Sequence, residues 1–236
     1  MQSSRLQKYT IYYENSEEYH HLKREVFTSD LYYFETENPN PFIIDLGAHI
    51  GLSTLYFKQT YPGSEIIAIE PNPGTFELLE QNLFENQIDG VTAINAAVSD
   101  QSGFEELFLD ETAEQWHSVA SFHTGSWAGT QQSKSIVVQT YKLSEFITKP
   151  VDFLKMDIEG SEQKVLLEAE DALPLVKEIH LEFHTHPTQS LKKVMDLLDR
   201  THKIEIYDGT TIIPAKKLKK ITGMVQIRGI NRKKVN

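Results

Sequence analysis

Ile43-Ile44-Asp45-Leu46-Gly47-Ala48-His49-Ile50-Gly51 is the stretch that decides the fold. A short apolar run ends in Asp-x-Gly-x-x-x-Gly, and a helical pattern begins at Leu52. Gly47 frees the chain to turn sharply out of a strand. Gly51 lets the next helix pack close, with its N-terminus facing a ligand. Glycine turns after strands are common, so the stretch gains force from Glu70. That acid ends the next apolar run, Glu65-Ile66-Ile67-Ala68-Ile69, about twenty residues on, the spacing that suits the two hydroxyls of a ribose.

Outward from this turn, strands and helices alternate. The strand at 42–46 leads to a helix near 52–60 with Leu52, Leu55 and Tyr56 on one side, and Tyr61-Pro62-Gly63 ends it. The strand at 65–70 leads to a helix near 73–86, with Asn72 as cap, Pro73 in the first turn and Phe76, Leu79 and Leu83 as its buried stripe. A strand covers roughly 91–98, and two more cover 104–109 and 135–141. The long loop between the last two, around 110–134, carries Trp116, His117, His123 and Trp127 and reads as a substrate lid. A strand at 151–157 then precedes a helix near 161–169 capped by Ser161. A strand at 177–183 precedes a helix near 187–200 opened by Pro187, and strands at 203–207 and 224–230 close the pattern. Such alternation implies a parallel sheet covered on both faces, with the last two strands as an antiparallel edge hairpin. Residues 1–40 read as a helical lid segment, Tyr19, Leu22 and Val26 recurring at helical spacing after Ser16. The main domain is expected over 41–230, with an inserted loop and hairpin at about 104–141 and a basic tail at 231–236.

The glycine turn also restricts the cofactor. A dinucleotide fingerprint wants Gly-x-Gly-x-x-Gly, and here the middle position is His49, which would crowd a pyrophosphate approaching the backbone. Walker-type phosphate loops are absent. A cofactor without phosphates fits better: a ribose for the acid, an apolar slot for adenine and room for an amino acid. S-adenosylmethionine meets that description. An NAD(P)-dependent Rossmann oxidoreductase is the competing reading.

Four blocks together resemble the FkbM family of methyltransferases. They are Asp45-Leu46-Gly47-Ala48-His49-Ile50-Gly51; Glu70-Pro71-Asn72-Pro73 with Phe76, Leu79 and Asn82; Asn95-Ala96-Ala97-Val98-Ser99-Asp100; and Asp152-Phe153-Leu154-Lys155-Met156-Asp157-Ile158-Glu159-Gly160-Ser161-Glu162. The resemblance covers most of 42–184, and the last block is its most specific part. It implies a Rossmann-like class I methyltransferase fold with a seven-stranded, mostly parallel sheet, an antiparallel C-terminal edge hairpin and helices on both faces. It further implies an S-adenosylmethionine-dependent enzyme, most often an O-methyltransferase acting on sugars and natural-product hydroxyls. Carried onto this chain, it sets Asp45, Gly47, Ala48 and Gly51 around the methionine part, His49 within the cofactor site and Glu70 on the ribose hydroxyls. Pro71 and Asn72 would border the adenine with Ala97 below it, and Asp157 would lie near the transferred methyl. The family usually has Asn where this chain has His49.

An acceptor hydroxyl must lose its proton around the time of attack, so a base is sought at the strand ends. Lys155, Asp157 and Glu159 alternate along one face of their strand and its exit, as do Glu182 and His184 on theirs. Asp157, Glu182 and His184 are the catalytic candidates. Plainer roles compete: Asp157 as a turn residue, Glu182 as a partner of Lys155, His184 and His186 as loop histidines. Glu159 and Gly160 shape the turn. No metal is expected, but Asp157, Glu159, Glu182 and His184 are the donors that could hold Mg²⁺ or Mn²⁺ in a metal-assisted variant. With an amine acceptor on the same fold, a base would matter less.

Composition narrows the partners. The chain has 236 residues, no cysteine and a net charge of −11, which argues against a nucleic-acid backbone as the main partner and excludes disulfides and thiolate catalysis. No run approaches transmembrane length and no targeting signature is visible, so a cytoplasmic enzyme with a small-molecule or glycan acceptor is expected.

Overall fold

The structure is a computed structural model and describes residues 1–110, 120–122, 133–208, 211–213, 223–233 and 235. The chain opens not with a helix but with an antiparallel hairpin, β1 (Gln2–Leu6) and β2 (Tyr9–Tyr13), followed by α1 (Ser16–Lys23) and a π-helical turn over Arg24–Thr28. The expected helical preface is therefore only its second half. Tyr9-Thr10-Ile11-Tyr12-Tyr13 is β-branched and aromatic, and it alternates buried and half-buried side chains as a strand does. Asn15, not Ser16, caps α1, its side chain accepting from the N–H of Glu17 and Glu18. The free edge of β2 is tied to the domain by two asparagines one helical turn apart. The Thr10 N–H donates to Asn86 and the Tyr12 N–H to Asn82, at 2.8 and 2.7 Å, and each amide donates back to the same residue's carbonyl.

Next come β3 (Phe42–Leu46), α2 (Leu52–Thr60), β4 (Glu65–Ile69), α3 (Pro73–Glu85) and β5 (Val91–Ile94). The expected strand at 91–98 is broken at Asn95-Ala96, and its second piece, β6 (Ala97–Ser99), enters another sheet. There it pairs with β9 (Ser133–Lys142), which pairs with β7 (Gly103–Asp110), which in turn holds the short β8 (Ala120–Ser121). The long loop thus lies outside the described residues except at 120–122, and so do Trp116, His117, His123 and Trp127.

The chain returns through β10 (Val151–Met156), α4 (Glu162–Glu168), β11 (Val176–His184), α5 (Leu191–Leu198), β12 (His202–Asp208), β13 (Thr211–Ile212) and β14 (Met224–Asn231). Ser190 caps α5, so that helix starts after Pro187 rather than at it. Ser161 stands at the N-cap of α4 but makes no capping bond; the neighbouring Glu162 carboxylate takes the Gly160 N–H instead, at 2.9 Å.

The main sheet has eight strands in the order β13-β12-β14-β11-β10-β3-β4-β5. This is the expected seven plus the two-residue β13 at the edge. β11, β10, β3, β4 and β5 are parallel; β14 and β12 form the antiparallel edge hairpin. Strand order reverses between β3 and β10, so the crevice lies beyond their carboxyl ends. Both faces are covered. Ile44, Leu46, Leu154, Met156, Ile179 and Leu181 pack toward Val165 and Leu166 of α4 and Val194 and Leu197 of α5. Ile43, Ile66, Ala68 and Phe153 pack toward α2, α3 and the N-terminal segment through Leu55, Leu79, Ile11, Tyr19, Tyr32 and Phe34. Tyr19, Ile11 and Phe34 are at most 2 % exposed, and burying each such side chain stabilises the chain by about 1.5–3 kcal/mol. No helix among the described residues is long and apolar enough to cross a membrane.

Candidate active site

The site grows from the two turns at the switch point. Gly47 adopts φ +72°, and a Cβ there would lie 1.8 Å from the Asp157 carbonyl oxygen. Only glycine lets the turn after β3 press against the turn after β10. The N–H groups of Gly47 and Ala48 donate to the Ile69 carbonyl at 2.9 and 3.0 Å, fixing the turn to β4. Gly51, at φ +88°, caps α2, and a Cβ on it would come within 2.6 Å of the Leu79 side chain on α3.

Glu70 ends β4 with 5 % exposure. One carboxylate oxygen accepts the His49 N–H and the other the Asn72 N–H, both at 2.9 Å. The group is therefore oriented across the glycine turn before any ligand arrives. Burial raises its pKa, against the opposing pull of His49, the two N–H donors and Lys155. The His49 ring reaches α1, its Nε2 lying 3.1 Å from a Glu18 oxygen. Burial opposes its charge, but the bond to Glu18 and the nearby Glu70 and Asp157 outweigh that, and its pKa is raised.

Behind this rim lies a buried lysine. Lys155 Nζ donates to the carbonyls of Gly47 and Leu46 at 2.6 and 3.2 Å. It stands 3.5 Å from Asp45 and 3.9 Å from Asp157. Desolvation works against the ammonium, but Asp45, Asp157, Glu182 and Glu70 together raise its pKa, so it stays charged. Asp45 is fully buried, and one of its oxygens accepts from the Ser53 and Thr54 hydroxyls of α2 at 2.7 and 2.8 Å. It supports the turn and the lysine.

Asp157, Glu182 and His184 converge, with donor atoms within 4.8 Å of one another. Their protonation differs from what base catalysis by His184 needs. His184 Nδ1 lies 3.0 Å from Glu162 and Nε2 lies 3.2 Å from Glu159. Burial opposes its charge, yet Glu162, Glu159 and Asp157 push its pKa up to about 10, making it an imidazolium at neutral pH. Glu182 is raised well above the carboxylate range by burial and by Asp157 and Glu25, and the Tyr32 hydroxyl lies 3.4 Å from it. Burial and Asp157 push Glu159 up to about 8. With both His184 nitrogens beside carboxylates and an ammonium 3.9 Å from Asp157, the cation this cluster accommodates is already a protein group.

A cavity of about 140 Å³ lies in front of these groups. Gly47, Ala48, His49, Glu70, Pro71, Ala97 and Asp157 line it, while Asp45, Gly51, Asn72, Glu182 and His184 are not in its wall among the described residues. Composition and spacing had not pointed to several of its walls. The hairpin sheet supplies Leu107 and Phe122, and α1 and the turn after it supply Glu18, Leu22, Glu25 and Val26. Of these, Leu22 and Val26 were visible only as parts of a helical stripe.

The donor set fits S-adenosylmethionine. Glu70 is fixed at the rim, Ala96, Ala97, Val98, Leu107 and Phe122 form an apolar slot, and Asp157 Oδ1 is buried without a hydrogen-bond partner. A diphosphate would instead face Glu18, Glu25, Glu70, Asp157 and Glu159.

Comparisons with known proteins agree. The model of the methyltransferase FkbM domain matches residues 45–204. Methyltransferase 1 of Beauveria bassiana is 29% identical over 167 residues, covering 64% of this chain and 67% of its own. The 31-O-demethyl-FK506 methyltransferase FkbM of Streptomyces tacrolimicus is 26% identical over 207 residues, covering 74% and 78%. The crystal structure of a methyltransferase FkbM from Methylobacillus flagellatus superposes with a TM-score of 0.57 at 17% identity, over 88% of this chain and 47% of that one. The chain thus spans about two thirds of the first relative and under half of the crystallised protein. It has the class I methyltransferase fold and belongs to the FkbM methyltransferase family.

Proposed function

We propose that the chain methylates a hydroxyl of a small-molecule or glycan acceptor. The observation that carries this is Glu70, presented by two backbone N–H groups at the mouth of an acid-lined cavity. When bound, S-adenosylmethionine supplies an activated methyl on a sulfonium. Glu70 would accept from both ribose hydroxyls, Pro71 and Ala97 would border the adenine, and the Gly47 turn with Asp157 would hold the amino-acid end. Of the three catalytic candidates only Asp157 is in the cavity wall. It is the group we assign to take the acceptor's proton, on Oδ1. A general base adds about 10²–10⁴-fold and positioning up to roughly 7–11 kcal/mol. Glu182 and His184 would act through Asp157 by holding their own protons. The latch from His49 to Glu18 and the apolar side chains of α1 would exclude water. The name of the Streptomyces relative, a 31-O-demethyl-FK506 methyltransferase, supports oxygen as the acceptor atom. Net charge −11 supports an acceptor other than nucleic acid.

Calorimetry with S-adenosylhomocysteine, NAD and NADP, each alone, tests the reading. Binding of S-adenosylhomocysteine only is expected. Binding of NAD or NADP only would end it.

A further inference from the structure

A second cavity, of about 460 Å³, lies beside the first and shares His21 and Glu25 with it. Its floor is the antiparallel end of the main sheet: His180 on β11, Gln226 and Arg228 on β14 and Tyr207 on β12. The π-helical turn and the chain leaving it form the opposite wall through Ser29, Asp30 and Leu31. Strand register joins the two cavities. Asp45, Lys155, His180, Arg228 and Glu205 are successive cross-strand partners, and Glu182, Gln226 and Tyr207 form a parallel row. One face of the sheet thus carries polar side chains from the cofactor turn to the second cavity.

His180 singles this cavity out. It is 4 % exposed, and its Nε2 has no hydrogen-bond partner. An unpaired polar atom so deeply buried is costly to keep unless something fills the need. The ring's plane is set by Tyr32, edge-on at 5.2 Å between centroids. Burial, then Arg228 and Lys155, hold its pKa down at about 3, so the imidazole is neutral and offers one donor and one acceptor. A hydroxyl needs that pairing, since it also does both. The surrounding charges are balanced. Arg24 and Arg228 face the same space as Glu25 and Asp30, and Arg228 Nε already donates to Glu178 at 2.7 Å, so a phosphate or carboxylate gains little there. Tyr207, whose hydroxyl donates to Glu205 at 2.6 Å, adds a ring held in place, and Gln226 is 8 % exposed.

We propose that this second cavity holds the methyl acceptor, through a neutral polyhydroxylated group of glycosyl type whose hydroxyls are read by His180, Gln226 and Arg228. The assignment rests on the methyltransferase reading of the adjoining cavity.

The test uses the full chain, labelled with ¹⁵N-histidine and saturated with S-adenosylhomocysteine. It is titrated with methyl glucoside, methyl mannoside and methyl fucoside, and separately with inorganic phosphate. A His180→Gln spectrum identifies the resonances. At least one glycoside is expected to move the His180 nitrogens saturably, and phosphate is not. Gln226→Leu should weaken that glycoside about tenfold while calorimetric affinity for S-adenosylhomocysteine stays within about twofold. Ser29→Trp, on the exposed wall, is the second variant and should block the glycoside in the same way. Binding of S-adenosylhomocysteine with no glycoside response at His180, or an equal response to phosphate, overturns this proposal alone. Failure of S-adenosylhomocysteine to bind overturns the underlying reading and this one with it.

Discussion

Replacing Glu70 by glutamine tests the ribose assignment at its chemical root. The carboxylate accepts the His49 N–H on one oxygen and the Asn72 N–H on the other, each at 2.9 Å. An amide has one acceptor oxygen, so its NH₂ must face one of those two donors, and the side chain must turn away. The variant then loses one charge-assisted bond to the ribose pair and leaves the other neutral. A hydrogen bond to a charged group is worth about 1.5–3 kcal/mol net. The expected loss is about 2–3 kcal/mol, or roughly 30- to 150-fold in Kd for S-adenosylhomocysteine by calorimetry at neutral pH. Folding stability should change less, because glutamine removes the cost of burying a charge. The pH dependence carries a second check with opposite signs. The folded pKa of Glu70 is raised above its unfolded value. Its contribution to stability is therefore fully present below the unfolded pKa and lost as pH rises through the folded pKa. Ligand binding needs the ionised form, so it weakens as pH falls through that same folded pKa. Glu70→Gln should flatten both slopes. Affinity within about twofold of wild type, in a variant that unfolds normally, would refute the assignment.

Four further perturbations probe the frame around it. Gly47→Ala places a Cβ 1.8 Å from the Asp157 carbonyl at φ +72°; a loss above about 3 kcal/mol, or a Tm lower by about 6–12 °C, is expected, and a change under about 0.5 kcal/mol would contradict the packing. Lys155→Met leaves Asp45 and Asp157 without their ammonium partner and should cost about 3–5 kcal/mol in chemical denaturation, whereas a cost below about 1 kcal/mol would mean these ion pairs do not hold the turn. His184 should titrate by NMR near pH 10; its folded pKa is raised, so its stabilisation is full below the unfolded value of about 6.5 and fades as pH rises through about 10, and a midpoint below 7 would restore it as a base. Dialysis against EDTA should leave methyl transfer intact, and loss of activity restored by Mg²⁺ would show that the cluster of Asp157, Glu182 and His184 takes a metal after all.

The parallel strands were legible because strands buried on both faces read as apolar runs, as in Phe42–Leu46 and Val151–Met156. Glu70 and Gly47 were legible because a short spacing after a strand fixes where they fall. The first hairpin was not, although Tyr9–Tyr13 has a strand's composition. Its partner surface is the asparagine pair on α3, some seventy residues away, which no local pattern displays. The break at Asn95-Ala96 was hidden likewise: Val91–Ser99 reads as one run, and only the separate sheet built by β7 and β9 draws the second half away. Asp45 was expected at the ligand and instead supports the turn, because residues on one face of a strand point alike whether or not the cavity reaches them. Lys155 was seen on one strand face with Asp157 and Glu159, and as a partner for Glu182. Its importance lies in register, which sets Asp45 on one side of it and His180 on the other.

That register also explains how so many acids share one place. Asp45, Asp157, Glu159, Glu162 and Glu182 could not all ionise in a buried cluster on their own. Lys155 neutralises part of the charge and His184 another part, while Glu182 and Glu159 are pushed toward holding protons. What remains at the cavity wall is an excess of carboxyl groups over basic ones, Asp157 and Glu70 among them, with the nearest ammonium turned to the backbone carbonyls of the glycine turn. A diphosphate entering there would meet repulsion before it met a donor. A cation beside a ribose would meet the reverse: the Glu70 carboxylate held by two N–H groups at the rim and the unpaired Asp157 Oδ1 in the wall. The electrostatics of the wall, more than the glycine spacing that first drew attention to it, are what separate a sulfonium cofactor from a nicotinamide one on a sheet that could serve either.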